Sequence, residues 1–257
     1  MKRHMYFWMI LSFLLISTIG RSEEKEFDIY LCIGQSNMAG RAALTPELSE
    51  PISGVWLFNH QDQFEPAQNP LNRYSTIRKD LSMQKLSMAY SFSLEMHQKT
   101  GHKIGLVVNA RGGSSILSWL KGSKDGYYEE ILTRAQKAVK YGRIKGIIWH
   151  QGESDASDPD KYKVYLQTLM TDLRKDLGLP TLPVVIGQLG MWRSSVKGFN
   201  QMLLEIPQFL SYMACASAVG LSSLGGVSDP HFNTESQLIF GKRYALKMLE
   251  LQAKQAE

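Results

Sequence analysis

The sequence is poor in cysteine and lacks a hydrophobic run long enough to span a membrane. Its two cysteines, Cys32 and Cys215, lie in apolar, strand-like segments, which favours buried free thiols. A disulfide between them is the alternative, because the N-terminus indicates export to an oxidising compartment. The apolar run from Met5 to Ile16 is shorter than a membrane span normally needs. We therefore expect no stable span in the mature protein.

The sequence also lacks concentrated positive charge and internal repeats. Its composition does not change along the chain in a way that would mark a second domain. The net charge is +5, and the densest basic run, at residues 134–145, is typical of a solvated helix face. Without a basic block interleaved with aromatic residues, nucleic acid is not an expected partner. The 257 residues, 44% hydrophobic and 21% charged, describe an ordinary globular chain with enough length for one well-packed domain.

The N-terminus has the layout of a secretory signal peptide. Basic residues precede the apolar run, and the small residues Ser17, Thr18 and Gly20 follow it. An N-terminal membrane anchor is the alternative. We predict a signal peptide over residues 1–22, a single domain over 23–257, and a mature protein that works in the periplasm or outside the cell.

Strand-like and helical segments alternate along the rest of the chain. The predicted strands are Phe27 to Ile33, Ile104 to Asn109, Ile144 to Trp149, Pro183 to Leu189 and Tyr212 to Leu221. The predicted helices are Ser87 to Lys99, Tyr128 to Tyr141, Asp160 to Leu177, Ser194 to Ile206 and Thr234 to Leu251. This order predicts an α/β fold: a three-layer α/β/α sandwich around a mostly five-stranded parallel sheet. Residues 41–86 break the rhythm and predict an irregular excursion with one short strand, Val55 to Phe58.

Polar clusters follow several of these strands. Ser36 comes directly after the first strand, and the other clusters occupy residues 109–115, 150–155 and 228–233. The carboxyl ends of parallel strands meet at one edge of a sheet, where open α/β proteins bind ligands. We therefore expect Ser36 and His231 to lie close together despite their distance in sequence.

These clusters contain the groups that acyl transfer needs. Ser36 offers a nucleophilic hydroxyl, and His231 offers a base whose ordinary pKa is about 6.5. Asp229 is close enough in sequence to orient that imidazole. Gly112 and Gly113, the Ser36 backbone and the Gln151 amide offer N–H donors for an oxyanion. The Gly-x-Ser-x-Gly elbow of α/β-hydrolases is absent, because Met38 occupies the place of its second glycine.

The motifs resemble the SGNH/GDSL-type hydrolases, in the branch of sialate O-acetylesterases and carbohydrate esterase family 6 acetylxylan esterases. The resemblance depends on the segments 34–40, 112–116 and 149–155 and on His231-Phe232, followed by Gln237 and Gly241. It covers nearly the whole mature chain. It implies a flavodoxin-like fold, Ser36 as nucleophile, His231 as base, and oxyanion donors from Ser36, Gly113 and Gln151. It implies no metal and no organic cofactor.

The sequence departs from this family at one position. The family usually has its aspartate three residues before the histidine, where this chain has Ser228, whereas Asp229 is only two residues before it. We rank Asp229 first as the acid, Glu153 second, and a histidine without a carboxylate third.

The expected reaction is removal of an O-acetyl group from a sugar, with acetylated xylan and O-acetylated sialic acid as the substrate types. Candidate sugar contacts are Arg111, Trp119 and Trp192, although core packing is an equal alternative for both tryptophans. Two rival functions stay open: a carbohydrate-binding protein on the same scaffold, and an SGNH lysophospholipase or thioesterase. The sequence leaves the oligomeric state undetermined.

Overall fold

A seven-stranded sheet forms the centre of the protein, in a computed structural model that describes residues 26–78, 80 and 82–256. The strand order is β3-β2-β4-β1-β5-β6-β7. The strands are β1 Phe27–Gly34, β2 Val55–Phe58, β3 Phe64–Pro66, β4 Ile104–Ala110, β5 Gly142–His150, β6 Val184–Gly187 and β7 Met213–Ala216. The signal peptide predicted over residues 1–22 lies outside the described residues.

The sheet has two more strands than the five predicted. All neighbours pair in parallel except β3, which pairs antiparallel with β2. Both additional strands come from the irregular region 41–86. There, β2 was anticipated from its apolar run, whereas β3 is only the tripeptide Phe64-Glu65-Pro66 and carries no strand pattern of its own. The predicted fifth strand is also shorter than expected, because the chain turns after Ala216.

Helices cover both faces of the sheet and confirm the three-layer sandwich. They are α1 Ser36–Ala39, α2 Ala89–Thr100, α3 Tyr127–Ala138, α4 Pro159–Asp176, α5 Lys197–Phe209 and α6 Thr234–Ala256. Residues alternate between the two faces of a strand. In β1, Ile29 and Leu31 pack in the core under α3, α4 and α5, whereas Tyr30 and Cys32 pack in the core under α2 and α6.

Cys32 and Cys215 are both free thiols, as predicted; Cys32 is buried, whereas Cys215 is only partly buried. Burial raises the pKa of the Cys32 thiol well above its ordinary value, so this group stays neutral. Across the described part of the chain, no helix is both long and apolar enough to cross a membrane.

Candidate active site

The serine and the histidine predicted to react together do meet at the carboxyl edge of the sheet. Ser36 is the first residue of α1, directly after β1, and it is 6% exposed. His231 belongs to the loop before α6, and its Nε2 atom lies 2.9 Å from Ser36 Oγ. This distance is within hydrogen-bond range, so the imidazole can accept the hydroxyl proton directly.

Asp229 completes this arrangement from only two residues away. Its Oδ1 atom lies 2.7 Å from His231 Nδ1 and also accepts the His231 backbone N–H at 2.9 Å. One carboxylate oxygen thus fixes both the backbone and the ring of the histidine. This local turn explains how an aspartate one position nearer than the family's usual one still reaches the imidazole.

Glu153, the second-ranked acid, borders the same cleft as Ser36 and His231 but contacts a different histidine. Its Oε1 accepts the Asn37 amide at 2.6 Å and lies 3.4 Å from Nε2 of the fully buried His150. Burial raises the pKa of Glu153, but the neighbouring His150 imidazole and the hydrogen bonds from its own backbone and from Asn37 hold it below its ordinary value. Glu153 is therefore an ionised, buried carboxylate whose contacts are with Asn37 and His150.

Asn37 connects this buried carboxylate to the histidine loop. Its Nδ2 also donates to the Pro230 carbonyl at 3.1 Å, and its Oδ1 accepts the Phe232 N–H at 3.1 Å and the Gln237 amide at 3.2 Å. The two residues on either side of His231 are thus tied to the residue that follows Ser36. This clamp fixes the distance between nucleophile and base, although the sequence analysis gave Asn37 no role.

Two of the three predicted oxyanion donors border the same cleft. The N–H groups of Ser36 and Gly113 hydrogen-bond no other backbone group of the described residues. Gly113 has a φ of 73°, a left-handed conformation that glycine adopts without strain, and it lines the cleft. Both N–H groups are available to an oxyanion.

The third predicted donor, Gln151, is engaged with other residues. Gln151 is 1% exposed, and its amide nitrogen donates to the Ser114 carbonyl at 3.0 Å and to Asp155 Oδ2. An amide nitrogen has two protons, and both are used here. The prediction of Gln151 as an oxyanion donor is therefore wrong for this arrangement, because the amide fastens the loop after β5 to the loop after β4.

The three predicted sugar contacts all lie away from the cleft lining. Trp119 is completely buried against Trp149, and its Nε1 donates to Ser114 Oγ at 3.0 Å, so its prediction is wrong. Trp192 packs against Phe232 and donates to the Asp229 carbonyl at 2.8 Å, which supports the histidine loop. Arg111 donates to the Ile77 carbonyl at 2.9 Å. The expected aromatic and cationic residues thus stabilise the loops that carry the site.

The cleft itself has a volume of about 510 Å³; most of the residues that line it are polar, although apolar atoms supply the larger share of the lining surface. It includes three arginines that the sequence analysis did not select: Arg41, Arg78 and Arg193. Arg41 and Arg78 come from the irregular region 41–86, which has no periodic pattern to show where its side chains point. Among the described residues, no cluster of His, Cys, Asp and Glu is placed to hold a metal ion.

Comparison with known proteins agrees with the family suggested by the motifs. A sequence model of the family described as "Carbohydrate esterase, sialic acid-specific acetylesterase" matches residues 26–250. The chain belongs to this family. It is an SGNH-type carbohydrate esterase, and its match extends from the start of β1 almost to the end of α6.

One relative supports the same assignment, and a second solved structure shares the fold. The esterase is 29% identical over 238 residues to a probable carbohydrate esterase of Arabidopsis thaliana, covering 83% of this chain and 86% of the relative. The crystal structure of that plant protein has a TM-score of 0.75, with 26% identity over 88% of this chain and 98% of the other. A carbohydrate acetylesterase from Xanthomonas citri shares the fold, with a TM-score of 0.65 and 19% identity over 88% of this chain and 56% of the other.

Proposed function

We propose that this esterase removes O-acetyl groups from carbohydrates through an acetyl-enzyme formed on Ser36. The observation that carries the proposal is the continuous contact from Ser36 Oγ to His231 Nε2, and from His231 Nδ1 to Asp229, at the mouth of a polar cleft. This arrangement supplies a nucleophile, a base and an orienting carboxylate in the order that serine hydrolases use.

The reaction follows from these positions. Ser36 Oγ attacks the acetyl carbonyl while its proton passes to His231 Nε2, and the oxyanion is held by the N–H groups of Ser36 and Gly113. The protonated imidazole then gives its proton to the sugar oxygen, which leaves as an alcohol. Water enters, loses a proton to His231 and attacks the acetyl-enzyme, so that acetate is released and Ser36 is restored.

The residue types that line the cleft favour a sugar over a long acyl chain. Most of its residues are polar or glycine, with Met83 and Pro230 as the apolar exceptions. We propose acetylated xylan or O-acetylated sialic acid as the substrate type; the family description supports the sialic acid, and the resemblance of the motifs supports the xylan. A second cleft of about 320 Å³ shares Arg193 and carries Met191, Val196 and Leu204. A comparison of acyl chain lengths is therefore part of the test.

The test measures acetate release from acetylated xylan, O-acetylated sialic acid and a neutral acetylated monosaccharide. Wild-type protein and Ser36→Ala are compared, and p-nitrophenyl acetate and octanoate report on acyl length. We expect serine-dependent acetate release and a preference for acetate over octanoate. A preference for octanoate would indicate a lipid esterase. Carbohydrate binding without serine-dependent turnover would indicate a binding protein on the esterase scaffold.

We also propose that residues 1–22 act as an export signal ahead of the esterase domain. The support is the basic, apolar and small-residue order of that segment. Expression of the full chain in a bacterium, followed by N-terminal sequencing of the exported protein, is expected to find a start near residues 21–24. An intact N-terminus on membrane-bound protein would instead indicate an anchor.

A further inference from the structure

Two arginines converge on one point beside the nucleophile. Arg41 follows α1, and Arg78 lies in the segment between β3 and α2. The position that a Cβ on Gly112 would occupy is 2.4 Å from Arg41 Nη2, 3.5 Å from Arg78 Nη1 and 3.5 Å from Ser36 Cβ. A side chain at residue 112 would collide with Arg41 Nη2, so the glycine lets the Arg41 guanidinium lie against the backbone on the side where Arg78 Nη1 and Ser36 also lie.

The protein does not neutralise these charges. Among the described residues, no carboxylate oxygen lies within 4.0 Å of the guanidinium nitrogens of Arg41 or Arg78. Asp80 is fully exposed, and the charge of Arg78 is only a minor contributor to its lowered pKa. Glu153 borders the same cleft, but its side chain is 5% exposed and engaged with Asn37 and His150. The cleft therefore keeps an excess of positive charge.

Local contacts hold Arg41 so that one of its nitrogens stays free. Its Nη1 donates to the Gly40 carbonyl at 2.6 Å and to the Met83 carbonyl at 3.1 Å. Its backbone N–H donates to the Leu86 carbonyl at 3.1 Å. Arg41 is 9% exposed, yet its Nη2 makes no hydrogen bond to a described residue, and it lies against Gly112 in the lining of the cleft.

Arg78 is held through the same methionine. Its Nη2 lies 3.3 Å from the Met83 sulfur, and its Nη1 lies on the same side of Gly112 as Arg41 Nη2. Its Nε is buried without a hydrogen-bond partner in the described part of the chain. Burial, followed by the charge of Arg78, lowers the pKa of Arg41 to about 10, so Arg41 remains cationic at neutral pH. An anion between them would relieve their repulsion.

We propose that Arg41 and Arg78 form an anion subsite that binds a carboxylate of the acetylated sugar while its ester lies at Ser36. Guanidinium groups present paired N–H donors that match the two oxygens of a carboxylate. This inference rests on the proposed function, because it places the subsite next to the acyl-transfer site. It makes the esterase selective for acidic over neutral acetylated sugars.

The test uses two matched pairs of probes. The first is an O-acetylated methyl glucuronoside and its carboxamide, and the second is O-acetylated N-acetylneuraminic acid and its carboxamide. The two members of each pair have nearly the same shape and differ in charge. Calorimetry measures binding to Ser36→Ala protein, which keeps both arginines but lacks the nucleophile. The variants Arg78→Gln and Arg78→Lys are added in this background. Arg143→Gln, which removes an exposed charge near the start of β5, is the matched control.

We expect the acid of at least one pair to bind about ten- to a hundredfold more tightly than its carboxamide, the range for hydrogen bonds to charged groups. The pair that shows the preference identifies the sugar as a uronic or a sialic acid. Arg78→Gln is expected to abolish the preference, Arg78→Lys to keep part of it, and Arg143→Gln to leave it unchanged. Circular dichroism verifies that each variant is folded.

Equal binding of acid and carboxamide in both pairs would overturn the subsite, and so would a preference that survives in folded Arg78→Gln. Acetate release by the wild-type protein is measured separately on the same probes. Release without a charge preference would refute the subsite and leave the esterase proposal standing. A binding preference that depends on Arg78, without acetate release, would support the subsite and refute the esterase proposal.

Discussion

Replacement of Asp229 by asparagine tests whether a carboxylate two residues before the histidine stabilises the imidazolium. The asparagine oxygen can still accept both hydrogen bonds that Asp229 Oδ1 receives from His231, so the loop should keep its shape. What disappears is the negative charge. Two opposite unit charges about 4 Å apart attract by about 4 kcal/mol at the effective dielectric constant near a protein surface.

The exposure of the pair reduces this figure. The side chains of His231 and Asp229 are 24% and 23% exposed, so solvent screens part of the attraction. We therefore expect a loss of about 3 kcal/mol in transition-state stabilisation, which corresponds to a decrease in kcat of about two hundredfold. The KM for p-nitrophenyl acetate should change little, because Asp229 does not line the cleft.

Steady-state kinetics on p-nitrophenyl acetate measures the effect, with Glu153→Gln as the matched carboxylate control. In that control the new amide oxygen can still accept from Asn37, so we expect a decrease in kcat of at most about tenfold. Retention of near wild-type kcat by Asp229→Asn, together with a thousandfold loss in folded Glu153→Gln, would refute the assignment of the acid.

Three further predictions concern residues that support the site. Trp119→Phe should lower the melting temperature in thermal unfolding, because the hydrogen bond to Ser114 is lost. Its kcat/KM on an acetylated sugar should stay within about threefold of wild type. A large rise in KM without loss of stability would restore Trp119 as a sugar contact. Trp192→Phe removes the bond to the Asp229 carbonyl and should reduce kcat about fivefold in steady-state assays, whereas an unchanged kcat would deny it a supporting role. The folded-state pKa of Glu153 is below its ordinary value of 4.5, so its ionised form stabilises the fold above that pH and the contribution is lost as the pH falls through the folded value. Urea unfolding from about pH 5 to about pH 3 should therefore show a smaller loss of stability for Glu153→Gln than for wild type, and equal losses would show that Glu153 contributes nothing.

The strands and helices that the sequence predicts are those with strong local patterns. The run at residues 27–33 is apolar on both faces, as a central parallel strand requires, and it forms the middle of the sheet. The Phe64–Pro66 strand could not be predicted, because three residues carry no period and their pairing depends on β2.

The reacting pair was predictable because strand ends in a parallel sheet share an edge. Ser36 and His231 are 195 residues apart, and topology alone brings them together. The hydrogen-bond partners of Gln151 and Trp119 were not predictable from residue type. An amide or an indole suits either a ligand or the core, and only the positions of Ser114 and Asp155 decide where these groups donate. Arg41 and Arg78 were missed because their segment has no regular pattern.

The most direct test of the account is a rapid-quench experiment with p-nitrophenyl acetate, followed by peptide mapping by mass spectrometry. We predict a transient peptide that contains Ser36 and carries the mass of one acetyl group. The Ser36→Ala protein should show neither this species nor turnover, and His231→Gln should form it far more slowly. Acetylation at another residue, or acetate release that persists in Ser36→Ala, would contradict the central claim that Ser36 is the nucleophile.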